Sequence, residues 1–217
     1  LVAIIVGLAV MLVVKFYVLL CLIPGLLAWW WSRVRPGHPL LRNVVVHALA
    51  LGGVLISGSL MPGYGILEML VVKQRDFIGM ATDVASGSLL AMPPLEPGLL
   101  SFLRAAPHAL YMTFLSPFVV TGTGPLAVMS AAENVLLLMI PLIALRYMRP
   151  WRAIDHSSLL FFFSFVLLLA LLIGWTVPVV GALVRYRIPL LPFVSFIALL
   201  IMDPQRLPRW ITLSPRS

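Results

Sequence analysis

The sequence predicts an all-α fold: a polytopic integral membrane helix bundle with about five transmembrane helices and one long external segment of interfacial helices. Three observations predict it. Of the 217 residues, 62% are hydrophobic and 10% charged, with a mean hydropathy of +1.10, too apolar for a polar surface in water. Apolar runs of membrane-crossing length recur along the chain, and basic residues gather in the gaps between them. The formal charge of +8 therefore reads as a membrane-orientation signal, and no nucleic-acid partner is expected. Cys21 is the only cysteine, which excludes an internal disulfide and a cysteine-type metal site. No nucleotide loop, Ser-His-Asp set or zinc motif is present, and no cofactor is expected.

Residues 1–61 read as two transmembrane helices with a basic cytoplasmic loop. The first run, residues 1–28, exceeds the roughly 20 residues needed to cross a bilayer. It is interrupted by Lys15, expected to face the bundle, and by Pro24-Gly25. It ends in the interfacial anchor Trp29-Trp30-Trp31, followed by Arg33, Arg35 and Arg42. The second span, residues 44–61, carries Ala48, Gly52, Gly53 and Ser57, small residues that let a partner helix approach closely. His47 lies in the same run, and its one plausible companion is His156. Hydrogen bonding to a neighbouring helix and ligation of a cofactor are both open for it.

Residues 62–124 are the external segment. Glu68, Lys73, Arg75, Asp76, Asp83 and Glu96 are spread through it. The pieces 66–80 and 97–115 have the mixed pattern of interfacial helices. In the second, Arg104 and His108 share a helical face, with Leu99, Leu103, Leu110 and Phe114 available to dip into lipid. Residues 125–202 supply three more spans, 125–147, 157–177 and 188–202, and residues 203–217 a basic cytoplasmic tail. Glu133-Asn134 lies inside the third span, and an intramembrane carboxylate is either a functional group or half of a structural ion pair. Directly before the last span stands Arg185-Tyr186-Arg187-Ile188-Pro189-Leu190-Leu191-Pro192. An arginine at the bilayer centre costs ~2.5–3.5 kcal/mol on insertion scales, so this pair requires an interface, an acidic partner or a polar cavity. Pro189 and Pro192 predict a broken helix there.

With five spans, the clusters Arg33/Arg35/Arg42, Arg146/Arg149/Arg152 and Arg206/Arg209/Arg216 fall on one side, expected to be cytoplasmic. Glu133, Arg104, Arg185, Tyr186 and Arg187 then share the outer leaflet. Cations there suit a phosphate or pyrophosphate head group, with a carboxylate to pair with them or act as base. An outward amino end without Met predicts further sequence before Leu1.

The Arg185–Pro192 stretch resembles the Arg-Tyr-x-x-Pro-x-x-Pro signature of bacterial GT-C-fold glycosyltransferases that use polyprenyl-phosphate sugars in envelope-glycan assembly. Ala106-Pro107-His108-Ala109-Leu110, Ser116-Pro117-Phe118 and Ala131-Ala132-Glu133-Asn134 are similar to patterns in related membrane proteins. The resemblance covers about half of the chain. It implies a multi-pass protein of the bacterial inner membrane, with the bilayer and a lipid-linked sugar donor as its partners. It implies donor phosphate binding by Arg185 and Arg187, with Arg104 and Tyr186 beside them. The family's catalytic acid lies in a first external loop. No acidic pair follows residues 1–31, which implies that this chain is the carboxy-terminal part of a larger protein. Glu133, Asp76 and Asp83 are then its candidate catalytic groups, with Glu96 a further external acid. A non-catalytic subunit of a larger membrane complex, packing through the small-residue face of residues 44–61, is the competing expectation. A transporter is the third.

Overall fold

The computed structural model describes residues 16–35, 37–85, 87–116 and 125–207. Lys15, Pro117, Phe118, Arg209 and Arg216 lie outside the described residues. Eight α-helices follow one another: α1 Phe16–Val34, α2 Pro39–Leu60, α3 Ile66–Asp83, α4 Leu99–Leu115, α5 Pro125–Arg146, α6 His156–Thr176, α7 Val180–Arg187 and α8 Leu191–Ile201. Short 3-10 turns at Trp151–Ala153, Ile188–Leu190 and Pro204–Arg206 complete the elements of the described residues. Among the described residues, α1, α2, α6 and the continuous run Val180–Ile201 are long and apolar enough to cross a membrane. α5, with 22 residues, is the helix of the remaining predicted span.

The α7–α8 run differs from expectation. Its helix begins at Val180, so Arg185, Tyr186 and Arg187 lie within the last span and not before it. Pro189 and Pro192 do not break it, because the backbone stays right-handed helical at Ile188, Leu190 and Leu191. Each proline occupies the first turn of a helical segment, where its missing N–H is an orphan in any case, and a tightened 3-10 turn joins the two pieces.

α6 is the hub, packed against α1, α2, α3, α4, α7 and α8. Around it Val18, Cys21, Met112, Phe165, Leu169, Ala170, Ile173 and Leu183 form the main core. α4 buries Phe102, Ala105, Ala109, Met112 and Thr113, a stripe at helical spacing. It runs antiparallel along α6: Phe102 meets Trp175 edge-on at 5.0 Å and the Thr113 hydroxyl donates to the Ala170 carbonyl at 2.7 Å. Leu110 and Phe114, expected to dip into lipid, pack on this core instead. The small residues Ala105, Ala109, Ala170 and Gly174 let the two helices approach closely, which an amphipathic pattern does not distinguish from a lipid-facing stripe.

Gln74, 4% exposed, ties α3 to the same hub. Its amide nitrogen donates to the Trp175 carbonyl at 2.9 Å and the Pro93 carbonyl at 3.1 Å, while its oxygen accepts from the Leu95 N–H at 3.0 Å. One side chain thus satisfies α3, the end of α6 and the 87–98 connection together.

The described members of the basic clusters collect at one end of the bundle. Arg33 at the end of α1 pairs with Asp155 at the start of α6 at 2.5 Å. Arg149, just after α5, donates to the Met202 carbonyl beyond α8 at 2.7 Å, and Arg206 reaches the Met148 carbonyl at 3.1 Å. Asp155 also caps α6 by accepting from the Ser157 and Ser158 N–H groups. Burial pushes its carboxyl pKa up, but hydrogen bonds from Ser158, the Arg33 charge and the Ser157 N–H outweigh this and hold it below its ordinary value. Stability from a depressed carboxyl is present above the unfolded value, ~3.9, and is lost as pH falls through the folded one. Arg33 is half exposed, so its ion pair contributes little, whereas losing an N-cap costs ~1 kcal/mol. In detergent-micelle unfolding, Asp155→Ala should therefore lose about 1 kcal/mol and Arg33→Gln only a few tenths.

Candidate functional site

Successive residues of a helix point about 100° apart. The last turn of α7 accordingly sends Arg185, Tyr186 and Arg187 into three different surroundings. Arg187 is 1% exposed. It donates to the Asn134 side-chain oxygen, and its other terminal nitrogen lies 3.5 Å from the Glu133 carboxylate. Asn134 is fully buried, while the Glu133 side chain is 38% exposed, so the pair runs from the interior of the bundle to its edge. The Arg187 Nε has no hydrogen-bond partner among the described residues. A cavity of about 60 Å³, lined by Arg187, Thr113, Phe114, Pro141 and Val194 among others, adjoins the guanidinium. That volume accommodates water, which needs only ~10–15 Å³ by this measure.

Tyr186 turns the other way. Its ring lies 5.7 Å from that of Tyr17 on α1 and meets Phe77 of α3 edge-on at 6.2 Å. The Lys73 ammonium sits over this cluster, 5.0 Å from the Tyr17 ring centre and 6.0 Å from that of Phe77. Burial lowers the Lys73 pKa. No carboxylate pairs with Lys73 among the described residues, and the buried Tyr17 hydroxyl has no partner there either.

Arg185 is exposed and makes no hydrogen bond or ion pair among the described residues. Arg104 lines a different feature, an open groove of about 480 Å³ with Pro93, Pro97, Glu96 and Ser101. Asp76 and Asp83 are exposed on α3, again without a polar partner among the described residues. Of the predicted set, then, Glu133 meets Arg187, and Tyr186 meets the rings of Tyr17 and Phe77, which Lys73 overlies. Arg104, Asp76 and Asp83 make no hydrogen bond or ion pair with them among the described residues.

Two groups beside the site, Lys73 and Tyr17, were not foreseen as part of it, nor was Gln74, the buried anchor next to Lys73 in α3. Gln74 shares a buried stripe with Val71 and Ala81, and a lone amide in such a stripe is the signal that would have marked it. Lys73 and Tyr17 carry no motif, since their meeting depends on how α1 and α3 pack.

The site lies at the end of the bundle away from the basic clusters. Glu133 is 13 residues before Arg146, or about 20 Å of helix rise. The two histidines are apart. The His156 ring stacks edge-on with Trp151 at the start of α6. Asn43 of α2 meets Ser164, eight residues or about 12 Å further along α6, and His47 is one turn beyond Asn43. The His47 Nδ1 bonds the Asn43 carbonyl at 2.8 Å, which makes this nitrogen the donor and leaves Nε2 as an acceptor. No group of three or more His, Cys, Asp or Glu able to hold a metal occurs among the described residues.

These features define an all-α membrane protein with an arginine buried inside its bundle. No family model, no curated protein and no solved structure matches the chain.

Proposed function

We propose that this protein handles a lipid-linked phosphate, of the polyprenyl-phosphate sugar class, at the membrane face opposite its basic clusters. The observation that carries the reading is Arg187, a charge buried within a membrane-length helix. Its ties to Asn134 and Glu133 fix the last turn of α7 and leave Arg185 exposed with no compensating acid among the described residues. An uncompensated guanidinium beside apolar helices suits a phosphate whose tail lies in lipid. In a transfer reaction such a cation would stabilise charge developing on the leaving phosphate. The resemblance of residues 185–192 to the GT-C signature supports the same ligand class. By the positive-inside rule the basic end is cytoplasmic and the site faces outward across the plasma membrane.

The test is binding of a polyprenyl monophosphate to the full chain in nanodiscs. A charge-assisted hydrogen bond is worth ~1.5–3 kcal/mol, so Arg185→Gln should weaken binding at least tenfold. Unchanged affinity would reject the reading.

One observation favours a second reading, a non-catalytic subunit of a larger membrane complex. No residue of α2 is buried, and the Cβ positions of Gly52 and Gly53 face open space. Gly53→Leu would then release a partner seen by native mass measurement in mild detergent, without altering phosphate binding.

A further inference from the structure

We propose that Lys73 and Tyr17 complete the phosphate site, so that the head group is held by the Lys73 ammonium, the Tyr17 hydroxyl and Arg185, with Arg187 as a positioning residue behind it. This inference rests on the reading above and changes which side chains touch the ligand.

The first argument is occupancy. Arg187 is already engaged by Asn134 and Glu133, so a phosphate could bind it only by displacing them. Lys73 is only partly buried and Arg185 is exposed; Lys73 overlies Tyr17 and Phe77, the two rings that Tyr186 packs against, and Arg185 precedes Tyr186 in the chain. The second argument is unmet bonding. Lys73 lies against two aromatic faces, which attract an ammonium but do not neutralise it. The Tyr17 hydroxyl beneath it is a buried donor without a partner among the described residues. Buried polar groups are almost always hydrogen-bonded, so the unsatisfied hydroxyl of Tyr17, on a ring that an ammonium without a carboxylate partner overlies, marks the place of a missing acceptor. A phosphate oxygen accepts from both and supplies the absent negative charge. The lowered pKa of Lys73 agrees with an ammonium held partly out of water without a counterion.

The shared chemistry is a phosphate ester oxygen, and two arms separate its sources. The full chain in nanodiscs is titrated with a polyprenyl monophosphate and, separately, with inorganic phosphate. Wild type binds in one arm at least, and the arm that binds identifies a lipid-borne or a free phosphate. Lys73→Gln should weaken that binding at least tenfold, Tyr17→Phe about threefold, and Lys73→Arg should restore most of it. Should Lys73→Gln fail to fold, modification of Lys73 by an amine-reactive reagent in the wild-type protein answers the same question, because bound ligand must protect it. Wild-type affinity in Lys73→Gln, or undiminished labelling at saturation, overturns the inference while leaving the function reading intact. Absence of binding by wild type in both arms overturns the function reading itself.

Discussion

Glu133→Gln should destabilise the bundle far more than Arg187→Met, although the two substitutions remove the same ion pair. The remaining partner decides the outcome. After Glu133→Gln, Arg187 stays charged at any accessible pH, 1% exposed, with only the neutral Asn134 and Gln oxygens near its guanidinium. Leaving a buried charge uncompensated costs ~3–5 kcal/mol. After Arg187→Met, Glu133 retains a side chain that is 38% exposed and reaches solvent or takes up a proton. The methionine meanwhile packs against Phe114, Leu190 and Val194 around the small cavity. Replacing an interior ion by a hydrophobe of similar size is often close to neutral, so the expected loss is about 1 kcal/mol or less. The double variant should resemble Arg187→Met alone, giving a coupling energy of about 2 kcal/mol or more in a double-mutant cycle. Reversible unfolding in mixed micelles measures all three. Equal losses for the two single variants would mean that Glu133 is not the counterion of Arg187.

Much of this fold was legible because hydropathy reports what a helix must avoid. The ranges 125–147 and 157–177 correspond to α5 and α6 almost residue for residue, and the two pieces of the 62–124 segment became α3 and α4. The amide and carboxylate of Asn134 and Glu133 stood out because polar groups inside an apolar run are costly, and the same cost made Arg187 conspicuous. What the sequence did not carry was direction. Three consecutive residues, Arg185, Tyr186 and Arg187, read as one phosphate-binding group, yet the helix turns them to solvent, to an aromatic cluster and to the interior. The start of the last span was misplaced for a related reason: prolines at 189 and 192 read as a break, whereas first-turn positions tolerate them. Lys73 and Tyr17 were invisible as a pair because their contact is set by α6, the helix on which both α1 and α3 rest.

That dependence on α6 makes Gly174→Ala a strongly disruptive substitution despite its size. A Cβ at Gly174 would overlap the carbonyl of Ala109, and the obstacle is backbone on a neighbouring helix, not the movable end of a side chain. α4 can accept the methyl group only by retreating from α6. Retreat opens the Phe102–Trp175 contact and stretches the Thr113 hydrogen bond to Ala170. Overpacking costs ~1–3 kcal/mol where neighbours can adjust, and losing a buried hydrogen bond adds ~1 kcal/mol, so a loss of 3 kcal/mol or more is expected here. Gly53→Ala in α2 is the matched control. Nothing stands within 4 Å of its Cβ position, and alanine is favoured over glycine inside a helix by ~1 kcal/mol, so its effect should be neutral or mildly stabilising. The same unfolding measurement separates the two glycines. Equal stability of Gly174→Ala and wild type would remove the close α4–α6 approach from the structure, and with it the wall that Thr113 and Phe114 give to the Arg187 cavity. A large loss confined to Gly174 would show that the small residues of α4 and α6 are the inner packing seam, whereas the Cβ positions of Gly52 and Gly53 in α2 face open space.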